Sequence, residues 1–280
     1  MKVPDARLSR PRRLAWACAV LVLAITSLSA FIRLSRAGLG CEPWPHCQAQ
    51  RAALGGEALA ASDPPAVVGA RVAHRVAASA ALLLLVGLLF LAFARQPVLR
   101  TQGRLVLALL VVAVLLAGLG RVAGASRAPP VVLGNLLGGF AMVALAARLV
   151  QAGGAGPRGV ASLRAWTLAV LALVFVQAGL GGLVAAAPTA ASCQGSGLCM
   201  VHRVGGMLVV AAVLALAIGA WRRRAHAMGA TLAVLVLVQA GLGIWQLAGA
   251  VPLALGLAHN AGAALLAAGV GLLLPGRGSG

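Results

Sequence analysis

The sequence predicts an all-α integral membrane protein with eight transmembrane helices, arranged as two four-helix units. Three observations carry this prediction. Of the 280 residues, 61% are hydrophobic and the mean hydropathy is +1.00. Apolar runs of about 20 residues recur from end to end, the length a helix needs to cross a bilayer. The motifs of the second half repeat those of the first in the same order. Runs this long and continuously apolar exclude a β-barrel, whose strands alternate in polarity.

The spans read out at 15–32, 67–94, 103–123, 130–149, 164–186, 199–221, 228–248 and 252–274. Span one follows Lys2, Arg7, Arg10, Arg12 and Arg13 and ends near Ser27-Leu28-Ser29-Ala30. That is the outline of a signal peptide. The stretch is nevertheless long enough to span, and without it the first unit would lack the helix that span five gives the second. The connection 33–66 contains Gly38, Gly40, Cys41, Pro43, Trp44, Pro45 and Cys47. It reads as an ordered cap outside the membrane, with Trp44 at headgroup level. Span two carries His74-Arg75 near its start. Span three ends in Ala117-Gly118-Leu119-Gly120, and span four opens on Leu133-Gly134-Asn135-Leu136. The Gly-rich segment 151–163, with Pro157 and Arg158, reads as the linker between the halves.

Span five ends with Val-Gln-Ala-Gly-Leu-Gly at 176–181, and span seven carries the same six residues at 238–243. These small-residue patches let helices approach closely and are read as packing, with no catalytic role for their glycines. Between them, Cys193 and Cys199 lead directly into His202-Arg203 at the start of span six. Span eight opens on Leu257-Ala258-His259-Asn260. The spacing from His202 to His259 is close to that from His74 to Asn135. Residues 1–150 and 151–280 therefore read as two four-helix units in a parallel repeat, with the special positions on the even-numbered spans.

The formal net charge is +19, but its distribution points to topology rather than to nucleic acid. Lys and Arg concentrate on the N-terminus, the even-numbered connections and the C-terminus, as in Arg95, Arg100 and Arg222-Arg223-Arg224. By the positive-inside rule both termini are cytoplasmic. All four acidic residues, Asp5, Glu42, Glu57 and Asp63, precede span two. A carboxylate-based proton relay or cation transporter has almost no material to work with.

Under this topology His74, His202 and His259 all lie near the outer ends of their spans. His74 sits about 10 Å below the surface, at 1.5 Å per residue. A lone intramembrane histidine more often hydrogen-bonds a neighbouring helix. Three at similar depth in a duplicated frame point to axial ligation of haem iron inside a four-helix bundle. Arg75 and Arg203 each follow a histidine by one position and can swing outward to a haem propionate; snorkelling to lipid phosphate is the alternative. Cys41 with Cys47 and Cys193 with Cys199 are both C-x5-C pairs on the oxidising side, where two disulfides fit. A loop staple and a redox role are both open. Metal binding by this spacing is a weak reading, even with His46 beside Cys47. Cys18, inside span one, reads as a small apolar residue.

Arg33-Leu34-Ser35-Arg36-Ala37-Gly38-Leu39-Gly40-Cys41-Glu42-Pro43-Trp44-Pro45-His46-Cys47 resembles the first outer loop of the heme A synthase family, R-L-T-x-S-G-L-G-C-x-x-W-P-x-C. The two His-Arg pairs, the second cysteine pair and His259 match that family in order and spacing, from span one to span eight. The resemblance implies two pseudo-equivalent four-helix bundles in the bacterial cytoplasmic membrane, oxidising a methyl group of heme O to the formyl group of heme A for cytochrome oxidase. It implies heme b as cofactor, held by His202 and His259 in residues 151–280. It places His74 at the iron of the substrate haem in residues 1–150. Cys41 and Cys47 match the pair suspected of a redox role, and Cys193–Cys199 matches the second-loop disulfide. The implied partners are heme O, membrane lipid, the heme O synthase and oxidase assembly factors; a homo-oligomer is open.

The sequence departs from the family pattern at two places. The family usually has a fourth histidine, where this chain offers Gly134 or Asn135. Many members carry a glutamate three residues before the first His-Arg, where this chain has Arg71. Both departures favour a rival, a non-enzymatic haem-binding assembly protein on the same fold. A b-type electron-transfer cytochrome should carry two complete histidine pairs, and only one is present.

Overall fold

The structure, a computed structural model, describes residues 6–36, 64–94, 98–123, 129–152, 160–186, 196–248 and 251–274. Among them are eight long helices and no strand. In chain order they are α1 (Ala6–Arg36), α2 (Pro65–Phe93), α3 (Arg100–Ala123), α4 (Pro129–Ala152), α5 (Arg164–Ala186), α6 (Gly197–Arg222), α7 (His226–Trp245) and α8 (Leu253–Leu272). Each contains a stretch long and apolar enough to cross a membrane. The chain is a multi-pass membrane protein of the all-α class.

The many Val residues do not favour helix by propensity. In lipid, however, only an intrasegment hydrogen-bond ladder satisfies every backbone group, and that overrides a few tenths of a kcal/mol per residue. Prolines mark three helix starts, Pro64-Pro65, Pro129-Pro130 and Pro252, where a missing N–H costs least. The largest departure from the expected spans is at α1. It begins at Ala6, ahead of the apolar stretch, and holds Pro11, Arg12 and Arg13 within the helix. The tight turn after α6 is closed by Ala225 N–H donating to Ala220 O at 3.0 Å. There Arg224 adopts φ 62°, the left-handed conformation that usually terminates a helix with glycine.

The helices pack in two rings. In the first, α1 packs on α2, α2 on α3, α3 on α4 and α4 back on α1. In the second, α5 to α8 close in the same cyclic order. Each ring has its own core. Phe140, Leu85, Leu109 and Val22 are among the fully buried residues of one; Leu216, Leu232, Val213 and Val270 belong to the other. Cys18 is a free, fully buried member of the first. Helix α8 contributes to both cores, and its residues 266–271 are buried on every side.

The seam between the rings runs along α4 and α8, with α1 and α5 flanking it. Polar clamps tie it at both ends. Arg33 on α1 donates to Asn260 Oδ1 on α8 at 2.8 Å. At the far end Arg148 of α4 donates to the Leu274 carbonyl, and Gln151 Nε2 donates to the Leu272 carbonyl at 2.8 Å. These two α4 side chains supply partners for carbonyls that the C-terminus of α8 leaves unsatisfied. Consecutive helices within each ring run in opposite directions. Gly103 near the start of α3 faces Phe93 at the end of α2, and Gly229 in the first turn of α7 faces Trp221 near the end of α6. All even-numbered helices therefore begin at the same end of the molecule.

Candidate functional site

His74, Asn135, His202 and His259 all lie within the first three turns of an even-numbered helix, and so gather at one end of the bundle. In the second ring α6 and α8 stand diagonally across from one another, because the packed neighbours of each are α5 and α7. His202 and His259 are both half-buried.

Each of these two imidazoles is held in the same way from the helix before it. Gln177 Nε2 on α5 lies 2.9 Å from His202 Nδ1 and donates to the His202 carbonyl at 2.6 Å. Gln239 Nε2 on α7 lies 3.2 Å from His259 Nδ1 and donates to the His259 carbonyl at 3.0 Å. One turn further along, a glycine faces the ring. A Cβ on Gly181 would fall 2.9 Å from His202 Cε1, and one on Gly243 would fall 3.3 Å from His259 Cε1. A second glycine, three residues after each histidine, receives the amide. Gly205 lies against Gln177 Oε1 and Gly262 against Gln239 Oε1. The repeated Val-Gln-Ala-Gly-Leu-Gly motif is thus the cradle of the two histidines. Its glycines are packing residues, as the sequence indicates, but what packs on Gly181 and Gly243 is an imidazole. Gln177 and Gln239 are the site contacts that the sequence reading does not assign. Their signal was the exact recurrence of a polar residue inside two apolar spans.

The first ring differs. His74 is half-buried, and no hydrogen bond engages its ring among the described residues. Three residues after it stands Ala77, where the other two histidines have glycine. At the fourth position, packing resolves the register that spacing left open. Gly138 lies against Leu116 as Gly262 lies against Gln239, so Asn135, three residues before Gly138, occupies the place of His259. Gly134 instead faces Leu119. Leu116 stands where Gln239 stands in the second ring.

The two arginines are placed unequally. Arg75 is exposed on α2. Arg203 is half-buried, with its Nε buried and without a hydrogen-bond partner. None of the described residues is acidic. Arg71, one turn before His74, is half-buried. Cys199, on the first turn of α6, is 4% exposed and disulfide-bonded, its partner lying outside the described residues. Cys41, Cys47 and Cys193 lie outside them too, as do His46 and the expected cap around Trp44.

Among the described residues, no three of His, Cys, Asp and Glu come together to bind a bare metal ion. Two imidazoles across a bundle diagonal, with Nε2 of both rings uncommitted among the described residues, fit a different group. The two imidazoles would hold a haem iron and the partnerless Arg203 Nε would face a haem carboxylate. A small cavity lined by Pro11, Ala15, Leu88 and Gln102 lies toward the opposite end of the first ring and takes no part.

No curated protein matches the chain significantly. Residues 70–270, from α2 to the end of α8, match the COX15-CtaA family, described as cytochrome oxidase assembly protein. The match includes His74, His202 and His259 and leaves out α1 and the Cys41–Cys47 loop. Covering more than half of the sequence, it establishes that the chain belongs to the COX15-CtaA family of cytochrome oxidase assembly proteins, the heme A synthase family.

Proposed function

We propose that this protein is a heme A synthase-type oxidoreductase of the bacterial cytoplasmic membrane, converting a methyl group of heme O to the formyl group of heme A. The observation that carries the reading is the asymmetry of the two rings. The second offers two cradled imidazoles across a diagonal; the first offers His74 with Asn135 in the matching fourth place. His202 and His259 together would hold a permanent heme b, and His74 alone would suit an exchangeable substrate haem. Heme b supplies electron-transfer chemistry when bound. His202 and His259 hold its iron, Arg203 neutralises a carboxylate, and the apolar helices exclude water. His74 orients the substrate haem. Arg75, exposed on the outside of α2, reaches a carboxylate at the rim or a lipid phosphate.

The same proposal puts both termini in the cytoplasm and the histidine end outside, pairs Cys193 with Cys199 as a staple beneath the second site, and gives Cys41–Cys47 the redox role in the first. Its substrate would come from a heme O synthase and its product would pass to cytochrome oxidase. The rival is a non-enzymatic haem-binding assembly protein, favoured by Asn135 and by Arg71 in the place of a family glutamate. Haem extraction and mass analysis of membranes with and without the protein separates them: heme A appears only if the protein oxidises heme O.

The site assignment has its own test. The purified protein should show one low-spin b-type haem. His202→Ala or His259→Ala should abolish that spectrum, and His74→Ala should leave it nearly intact while removing heme O oxidation. Loss of the resident haem in His74→Ala, with retention in His259→Ala, would reverse the roles of the two rings.

A further inference from the structure

We propose that Gln177 and Gln239 are positioning residues that set the ring orientation and the tautomer of His202 and His259 for iron. The inference rests on the reading of those histidines as haem ligands and goes beyond it to what aims them.

Four contacts recur in both copies. The amide nitrogen meets Nδ1, at 2.9 Å and 3.2 Å. The same nitrogen donates to the histidine's own carbonyl, at 2.6 Å and 3.0 Å. The amide rests on a glycine three residues after the histidine, and a glycine one turn after the glutamine faces the ring. Two anchors on one residue fix both where the imidazole sits and how it is turned.

The amide oxygens carry the argument to tautomers. Gln177 Oε1 and Gln239 Oε1 are both buried without a hydrogen-bond partner. A buried acceptor left unpaired is costly, and its recurrence at two equivalent sites calls for a reason. An imidazole that binds iron through Nε2 carries its proton on Nδ1, which then needs an acceptor. A half-turn about the glutamine's last side-chain torsion, a soft rotation, brings Oε1 to face Nδ1. The turn gives up the bond to the histidine's own carbonyl, so the amide donates to that carbonyl in one tautomer and accepts from Nδ1–H in the one that ligates.

Simple helix-to-helix bonding is the competing account, and the first ring provides an internal control. There α3 packs on α4 with Leu116 in the glutamine's place, Asn135 in the histidine's, and Gly138 still receiving the side chain. The helix contact persists without the amide. At this pair of helices glutamine and imidazole are missing together, while His74, read as the contact of an exchangeable haem, stands without a glutamine.

The test uses the full-length protein in detergent, with Gln177→Leu, Gln239→Leu, Gln177→Glu and Gln239→Glu. Leu116 shows that leucine is accommodated at the register of Gln239. Readouts are haem retention, midpoint potential and low-spin electron paramagnetic resonance. Leucine should weaken haem retention about 10–100-fold, the usual effect of losing a ligand's hydrogen-bond partner, and raise the potential of the haem that remains. Glutamate, a stronger acceptor, should keep the haem and lower the potential. If a leucine variant fails to fold, the glutamate shift decides by itself. Unchanged potential and resonance in folded variants of both kinds would overturn the proposal. A wild-type protein with no low-spin haem sensitive to His202→Ala or His259→Ala would instead defeat the ligand reading, whatever the glutamines do.

Discussion

At the residue scale, the site is shaped by what is absent from a side chain as much as by what is present. Gly181 and Gly243 leave room for imidazoles that an alanine would crowd. A Cβ 2.9 Å from His202 Cε1 forces the ring to move, whereas one 3.3 Å from His259 Cε1 asks for a few tenths of an ångström. Gly181→Ala should therefore alter the low-spin spectrum or haem retention more than Gly243→Ala, as read by absorption spectroscopy of the purified variants. Equal effects would contradict the closer fit at His202. Arg71 is the other decisive residue. It lies one helical turn before His74, on the same side of α2, and puts a guanidinium where the family often has a carboxylate. If that acid is needed for turnover, Arg71→Glu should raise the yield of heme A, measured by extraction. Equal conversion by both forms would make the carboxylate dispensable in this chain.

At the element scale, α3 and α4 preserve the packing of α7 and α8 while lacking their chemistry. Gly138 accepts Leu116 where Gly262 accepts Gln239. The exchange of Gln for Leu and His for Asn leaves the backbone register in place, so the lost half-site should be restorable. Leu116→Gln combined with Asn135→His should add a second six-coordinate, low-spin signal, with His74 supplying the other axial position. Asn135→His alone should bind more weakly, by the same 10–100-fold that an unsupported ligand loses. Absence of any new signal in the double variant would show that the α2–α4 diagonal is wrongly spaced for two ligands. Close approach matters elsewhere too. A Cβ on Gly229 would lie 2.7 Å from the Ala217 carbonyl oxygen, a backbone atom that cannot turn aside. Gly229→Ala should force α6 and α7 apart and cost about 1–3 kcal/mol, the usual range for overpacking, visible as a lower unfolding temperature in detergent.

At the scale of the whole molecule, α8 holds the halves together. It completes both cores, and its Asn260, next to His259, accepts from Arg33 of the other ring at 2.8 Å. Arg33 is half-buried, and no acidic residue is described that could balance it. Asn260→Leu should therefore destabilise the protein by about 1–3 kcal/mol, the cost of leaving a buried donor unpaired, again read as an unfolding temperature. Orientation in the membrane is a separate question of charge. An impermeant thiol reagent applied after reduction should label Cys41, Cys47, Cys193 and Cys199 on intact spheroplasts. Labelling from the cytoplasmic face alone would refute the topology.

The sequence by itself determined the fold class, the spans to within a few residues except at the start of α1, and the position of three histidines inside spans, because lipid leaves the backbone no alternative to helix and makes an ionisable side chain within a span conspicuous. The repeated Val-Gln-Ala-Gly-Leu-Gly reads from the sequence as small-residue packing alone. Only the tertiary structure brings Gln177 to His202 and Gln239 to His259. Gln177 and His202 lie on different helices, and the rotation of each helix about its axis sets which side chains meet. The same holds at Asn135 and Gly134, one residue and about 100° apart on α4. Spacing across an indel cannot separate them, but the contact of Gly138 with Leu116 does, since only one register seats that leucine in a glycine notch.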